Sequence, residues 1–319
     1  MSYSQSIKTR ISTAMALLPV SIAVGLLLWY LDTDFSIGSC LTIVTLIIST
    51  FTLRVFSNAV QLIRVRSWTV SSIYIILAPL CCHTYGWNIA TAIGGLLFMV
   101  YIIALLTSYQ EEHPQVNTFI ATLSLAVLTF HMPQLLWMVP ISILATLTTL
   151  RTFSTRTLLA IFFGLALPME IFFACHVYLG NATDWFLSLA QGLVGFSLPS
   201  VFYTTDLKAF IEDYRPTSTD LTMTLMCLYG LIGIVHFVHT SYNDKIRTRM
   251  HFITIIMHWP ALLLLLIFTQ SDTPLLLAMM TLLNSVLLAH YFVFSKGWIA
   301  NSLFWLFVIS CICLALPLF

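Results

Sequence analysis

A chain of 319 residues with 59% apolar and only 8% charged side chains cannot cover a water-facing surface, because soluble domains carry about 25% charged residues. Its net charge of +1 arises from 13 basic and 12 acidic residues lying mostly in short connectors rather than in one patch of sequence, so nucleic acid is not an expected partner. A mean hydropathy of +0.96 points to the membrane class instead.

Apolar segments run near 14–31, 36–53, 68–85, 88–107, 117–132, 134–150, 157–179, 184–203, 219–240, 250–269, 273–294 and 298–318. Most suffice, as helices, to cross a hydrocarbon core of about 30 Å. Strands of a membrane barrel would alternate polar and apolar residues, and runs such as LLLLLIF at 262–268 do not. The expected fold is therefore all-α: a polytopic transmembrane helix bundle of 11–12 spans, forming a single integral membrane domain over 1–319. Lys8 and Arg10 precede the first run, which no small-residue cleavage site follows, so it reads as a retained first helix rather than a signal peptide.

Basic connectors set the expected topology, since Lys and Arg stay on the cytoplasmic side. Lys8 and Arg10 put the N-terminus inside; Arg54, Arg64 and Arg66 are inside two segments later, and Arg151 and Arg156 four segments after that. Lys245, Arg247 and Arg249 then follow after three segments, an odd number that breaks the rule. The cheapest repair is that 184–203, DWFLSLAQGLVGFSLPSVFY, is re-entrant or broken, because Gln191, Gly192, Gly195 and Pro199 weaken a helix there. Eleven crossings result, with DKIRTR at 244–249 cytoplasmic; twelve crossings would leave it outside. The stretch 54–68 has near-helical spacing of basic and apolar positions. It reads either as an interfacial helix on anionic lipid or as a topology anchor with Trp68 at the interface.

Polar residues inside spans are the candidates for chemistry. Glu170 stands two residues after Pro168 in mid-span, where a carboxyl is suited to carrying protons. His236 and His239 share a helix face at i, i+3, as do His251 and His258 at i, i+7. HxxH alone is a weak ligand signal, His239 and His251 are expected at the interface, and neither a metal nor another cofactor is expected. The seven cysteines lack zinc-ligand spacing. His176, Gln191, Asn284 and His290 are further polar residues within spans, expected to make helix-packing contacts or to line a cavity. Asp206, Glu212, Asp213 and Arg215 form an acidic connector expected on the outer face. No P-loop, GxSxG, HExxH or paired-cysteine motif is present.

The stretches RTFSTRTLLA, NDKIRTRM and LLNSVLLAHYFV together resemble an uncharacterised family of multi-pass inner-membrane proteins from Bacteroidota, over about Arg64 to Phe294. The resemblance implies a bacterial inner-membrane location and no separate soluble domain, but no reaction. Three functions fit the residues: a subunit of an envelope membrane complex, contacting lipid and other membrane subunits; a carrier for a small or amphipathic solute, using Glu170 and the broken helix; or an enzyme acting on a polyprenyl-linked or lipid substrate at the outer acidic cluster.

Overall fold

Hydrocarbon leaves backbone N–H and C=O groups no partner but one another, so an apolar chain of this length folds into helices. In the computed structural model, which describes residues 17–32, 36–64, 67–85, 88–196, 218–269 and 272–315, the regular structure is entirely helical. Lys8, Arg10, Arg66, Asp206, Glu212, Asp213 and Arg215 lie outside the described residues.

The α-helices are α1 Leu17–Asp32, α2 Ile37–Ala59, α3 Thr69–Tyr85, α4 Ile89–Thr107, α5 Pro114–Thr129, α6 Met138–Thr148, α7 Thr155–Tyr178, α8 Ala182–Val194, α9 Ser218–Thr240, α10 Ile246–Phe268, α11 Thr273–Phe294 and α12 Trp298–Ala315. A 3-10 turn, Pro133–Trp137, leads into α6. Among the described residues six helices (α2, α4, α7, α9, α10 and α11) are long and apolar enough to cross a membrane, so the protein is a multi-pass membrane protein in contact with lipid. The apolar stretches at α1, α3, α5, α6 and α12 are shorter. Several buried hydroxyls are satisfied within their own helices: Thr42 donates to the Gly38 carbonyl, Thr50 to Leu46 and Thr122 to Thr118. The interfacial helix expected over 54–68 does not form, because α2 ends at Ala59 and the chain turns at Gln61 with φ +51. Arg54 lies 3.6 Å over the Trp68 ring.

The chain divides into two compact units. Unit 1 comprises Met1–Ile93, Asp206–Thr248 and Pro274–Phe319. Within it α1, α2, α9 and α12 pack on α3. Asn284 on α11 donates from Nδ2 to the Met226 carbonyl on α9 at 2.9 Å, and Tyr229 on α9 bonds Ser310 on α12.

Unit 2 comprises Gly94–Thr205 and Arg249–Thr273. A buried column of hydrogen bonds joins three of its helices. His258 Nδ1 lies 2.7 Å from the Thr254 carbonyl, which only accepts, so Nδ1 carries a proton and in the neutral ring Nε2 accepts. Tyr101 on α4 therefore donates to Nε2 at 2.6 Å, and Ser142 on α6 lies 2.6 Å from the Tyr101 oxygen, positioned to donate to it. Thr254 and Thr149 pair at 2.7 Å between α10 and α6. His251 is fully buried within the protein, with its ring edge-on to Tyr109 at 5.5 Å. Tyr101→Phe removes the donor to Nε2, while the Ser142 hydroxyl keeps the Met138 carbonyl as an acceptor at 3.0 Å, and is expected to cost about 1–3 kcal/mol. Thr149→Val, which removes one interhelical hydroxyl pair, should cost nearer about 0.6 kcal/mol. Unfolding of both variants in mixed micelles checks the ranking; the reverse order would deny the column its role in stability.

Candidate functional site

Helix α7 begins in a capping box, with the Ser154 hydroxyl accepting from the Thr157 amide at 3.2 Å and the Thr157 hydroxyl accepting from the Ser154 amide at 2.7 Å. Its buried residues, Thr157, Ile161, Gly164 and Pro168, recur at spacings of four and three, so they form one stripe. That stripe faces α5. A Cβ on Gly164 would lie 2.1 Å from the Thr122 hydroxyl and 2.8 Å from the Phe119 carbonyl, so only glycine allows this approach. Phe172 stacks on Phe130 at 3.8 Å. Since 164 lies beside 122 and 172 beside 130, α5 and α7 run parallel.

Glu170 follows Pro168 by two residues, roughly 200° around the helix, and so turns away from α5. It is exposed and lines a groove of about 580 Å³ between α7 and α8. Leu165, Met169 and Phe173 form one wall, Trp185, Phe186 and Leu189 the other, and Leu136 of the 3-10 turn contributes as well. Glu170 is the sole ionisable side chain among the lining residues, and the volume lies in the range of small-molecule sites, about 300–1,000 Å³. A single carboxyl in an apolar groove can orient one cationic or hydrogen-bond-donating head while the walls hold an apolar body.

The groove's two walls meet at a tight turn. Gly180 adopts φ +75, the Asn181 amide bonds the His176 carbonyl at 3.0 Å and the Gly180 amide bonds that of Val177 at 3.1 Å, which together close α7 with a left-handed cap. His176 belongs to this turn rather than to the groove lining: its Nδ1 bonds Asn181 Oδ1 at 2.9 Å and its ring stacks on Trp185 at 5.3 Å. At the far end of α8, the Cβ position of Gly192 is 2.8 Å from Pro133 Cγ, and Trp137 Nε1 donates to the Leu193 carbonyl at 3.3 Å. Gln191 is exposed and is not among the lining residues. Helix α8 covers only 13 residues, a rise of about 20 Å, less than the hydrocarbon core.

His236 and His239 belong to unit 1 and differ in their surroundings there. His236 packs toward α11, 5.5 Å from His290 and 4.9 Å edge-on to Tyr291, while His239 is exposed. His290 is bonded to Asp244 in the α9–α10 connector, Nε2 to Oδ2 at 3.0 Å, and both side chains are buried. Among the described residues no three His, Cys, Asp or Glu side chains are grouped to hold a metal. The remaining basic residues singled out in the sequence end helices or join them: Arg64, Arg151, Arg156, Lys245 and Arg247 are exposed, and Arg249 is half-buried. Tyr101, Ser142 and Asp244 gave no signal in the sequence, since a lone tyrosine or serine in a span is ordinary and Asp244 reads as one charge in a charged loop.

No curated protein and no solved structure matches the chain. A family of unknown function, DUF6427, matches residues 8–317, nearly the whole length, and the chain belongs to that family.

Proposed function

We propose that this membrane protein is a carrier for a small amphipathic solute with a cationic or hydrogen-bond-donating head, bound in the groove between α7 and α8 with that head at Glu170. The observation that carries the reading is the lone carboxyl in a groove of about 580 Å³ that is otherwise apolar. An acidic side chain exposed on a spanning helix costs about 2.5–3.5 kcal/mol on insertion scales, and a complementary head group offsets that cost. The resemblance noted in the sequence implies a bacterial inner-membrane location, while the basic connectors favour a cytoplasmic N-terminus and the lack of a polar block long enough to fold alone favours one integral membrane domain.

A dansyl-labelled alkylamine, added to the protein in nanodiscs, tests the reading through energy transfer from Trp185. Glu170→Gln and Glu170→Leu are both expected to weaken amine binding at least about tenfold, the equivalent of about 1.4 kcal/mol. Binding of a dansyl-labelled alkane should stay unchanged. Equal amine binding by all three proteins would remove Glu170 and the carrier reading with it. If Glu170 also carries protons, Glu170→Gln abolishes uptake that depends on a proton gradient.

A second reading, a subunit of an envelope membrane complex, draws support from α7 itself, since only 17% of its apolar window is buried. There, a helix of another membrane subunit covers Glu170 in place of a solute. Co-purification of a stoichiometric partner that Glu170→Leu releases would favour it.

A further inference from the structure

Three connectors of unit 1 meet at one end of it. Arg64, in the turn after α2, donates from Nη1 to the Asn243 carbonyl at 2.9 Å, and Thr248 reaches the Gln61 carbonyl at 3.5 Å, so the α2–α3 and α9–α10 connectors touch. The Arg64 guanidinium also lies 5.0 Å from the Phe294 ring, at the end of α11, which brings in the α11–α12 connector and its Lys296. Arg64, Lys245, Arg247 and Lys296 are all exposed there. Asp244, the one acidic residue described in these connectors, is turned inward onto His290 and leaves the cations uncompensated. Lys245 and Arg247 also flank the first residue of α10, where the helix dipole disfavours positive charge and favours an anion.

We infer that the connectors after α2, α9 and α11 form one basic platform on a single side of the membrane, and that it seats the phosphate groups of anionic lipids. Exposed Tyr242, Ile246 and Trp298 flank the cations with apolar and aromatic surface, as suits the headgroup boundary rather than open water.

The chain's own path agrees with one-sidedness. Seven described helices, α3 to α9, separate Arg64 from Asn243, so connectors on the same side require that an odd number of them fail to cross. The charged stretch 206–215 is unsuited to adding a crossing. Helix α8 supplies the exception. It starts at the turn that closes α7 and ends on Pro133 and Trp137 in the turn that follows α5, and because α5 and α7 run parallel, both of its ends reach the same end of unit 2. A second contact repeats the parity inside unit 2. His131 and Asp272 approach to 3.7 Å across five described helices, α6 to α10, which again requires one helix that does not cross.

Two measurements test the platform. Single cysteines at Gln61, Tyr242 and Trp298, in a chain otherwise free of cysteine, should all label with a membrane-impermeant maleimide from the same side; a different side for any one of them overturns the proposal. Native mass spectrometry of the purified protein should show phosphatidylglycerol retention falling roughly five-fold for each charge removed in Lys245→Gln, Arg247→Gln and Lys296→Gln, with phosphatidylcholine retention unaffected. Lys245→Arg and Lys296→Arg should keep the lipid. Unchanged phosphatidylglycerol retention in the glutamine variants overturns the proposal, and so does displacement of the lipid by millimolar inorganic phosphate, which would mark a site for the free ion.

Discussion

Asp244→Ala is expected to destabilise the protein by about 3 kcal/mol or more, because it removes one partner of a buried charged hydrogen bond and leaves the other in place. The His290 and Asp244 side chains are 1% and 3% exposed, and His290 Nε2 donates to Asp244 Oδ2 at 3.0 Å. Around the imidazole stand the rings of His236, Phe237 and Phe294 at 5.5, 5.4 and 4.8 Å, so the lost carboxylate leaves Nε2 in largely aromatic surroundings. Asp244→Asn keeps an acceptor oxygen and should cost less. The measurement is unfolding in mixed micelles, followed by tryptophan fluorescence, for Asp244→Ala, His290→Leu and the double variant. A coupling of at least about 1.5 kcal/mol between the two is expected. Strict additivity would mean that the pair contributes nothing as a pair, and that Asp244 is held inward by backbone geometry alone.

Gly164→Leu should be more damaging still to unit 2, since even a single methyl group at this position overlaps the Thr122 hydroxyl and the Phe119 carbonyl. Overpacking costs about 1–3 kcal/mol where side chains can yield and more where they cannot, and a backbone carbonyl cannot yield without moving α5. Gly164→Ala offers the graded version. Thr122→Ala removes the oxygen 2.1 Å from the new methyl but leaves the carbonyl at 2.8 Å, so Gly164→Ala/Thr122→Ala should recover part of the loss, and Gly164→Leu/Thr122→Ala very little. Full recovery in the leucine double variant would show that α5 and α7 can separate freely, and the groove wall built on α7 would then not be fixed by this crossing.

The helical, membrane-spanning character of the chain was legible because length and composition alone demand it, and the breaks at Pro133, Gly180 and Asp272 carry ordinary turn chemistry. Pro168 and Glu170 were legible as a pair for the same reason, since a carboxyl is conspicuous in an apolar run. The faces of the helices were not. A residue packed against another helix and a residue in lipid are equally apolar, so hydropathy carries no sign of which side is buried. Gly164 was therefore invisible as a contact point, and so was the packing of His251 against Tyr109. His236 and His239 illustrate the limit of spacing: three residues apart leaves about 60° between them, enough to put one against α11 and the other in the open. The groove was half legible, through Glu170 and the irregular 184–203, but its second wall depends on Gly192 meeting Pro133 across 59 positions of sequence.

Every residue of α11 from Leu275 to Phe292 is buried, including Asn284, Ser285 and His290, on a helix that leaves the ribosome after α1 to α10. Its polar groups enter the bilayer only after their acceptors, the Met226 carbonyl on α9 and the carboxylate of Asp244, have been synthesised. Unit 2 has all its residues by Thr273, whereas unit 1 needs Pro274–Phe319 to close. A chain stalled before α11 thus holds every residue of one unit and lacks the most enclosed helix of the other.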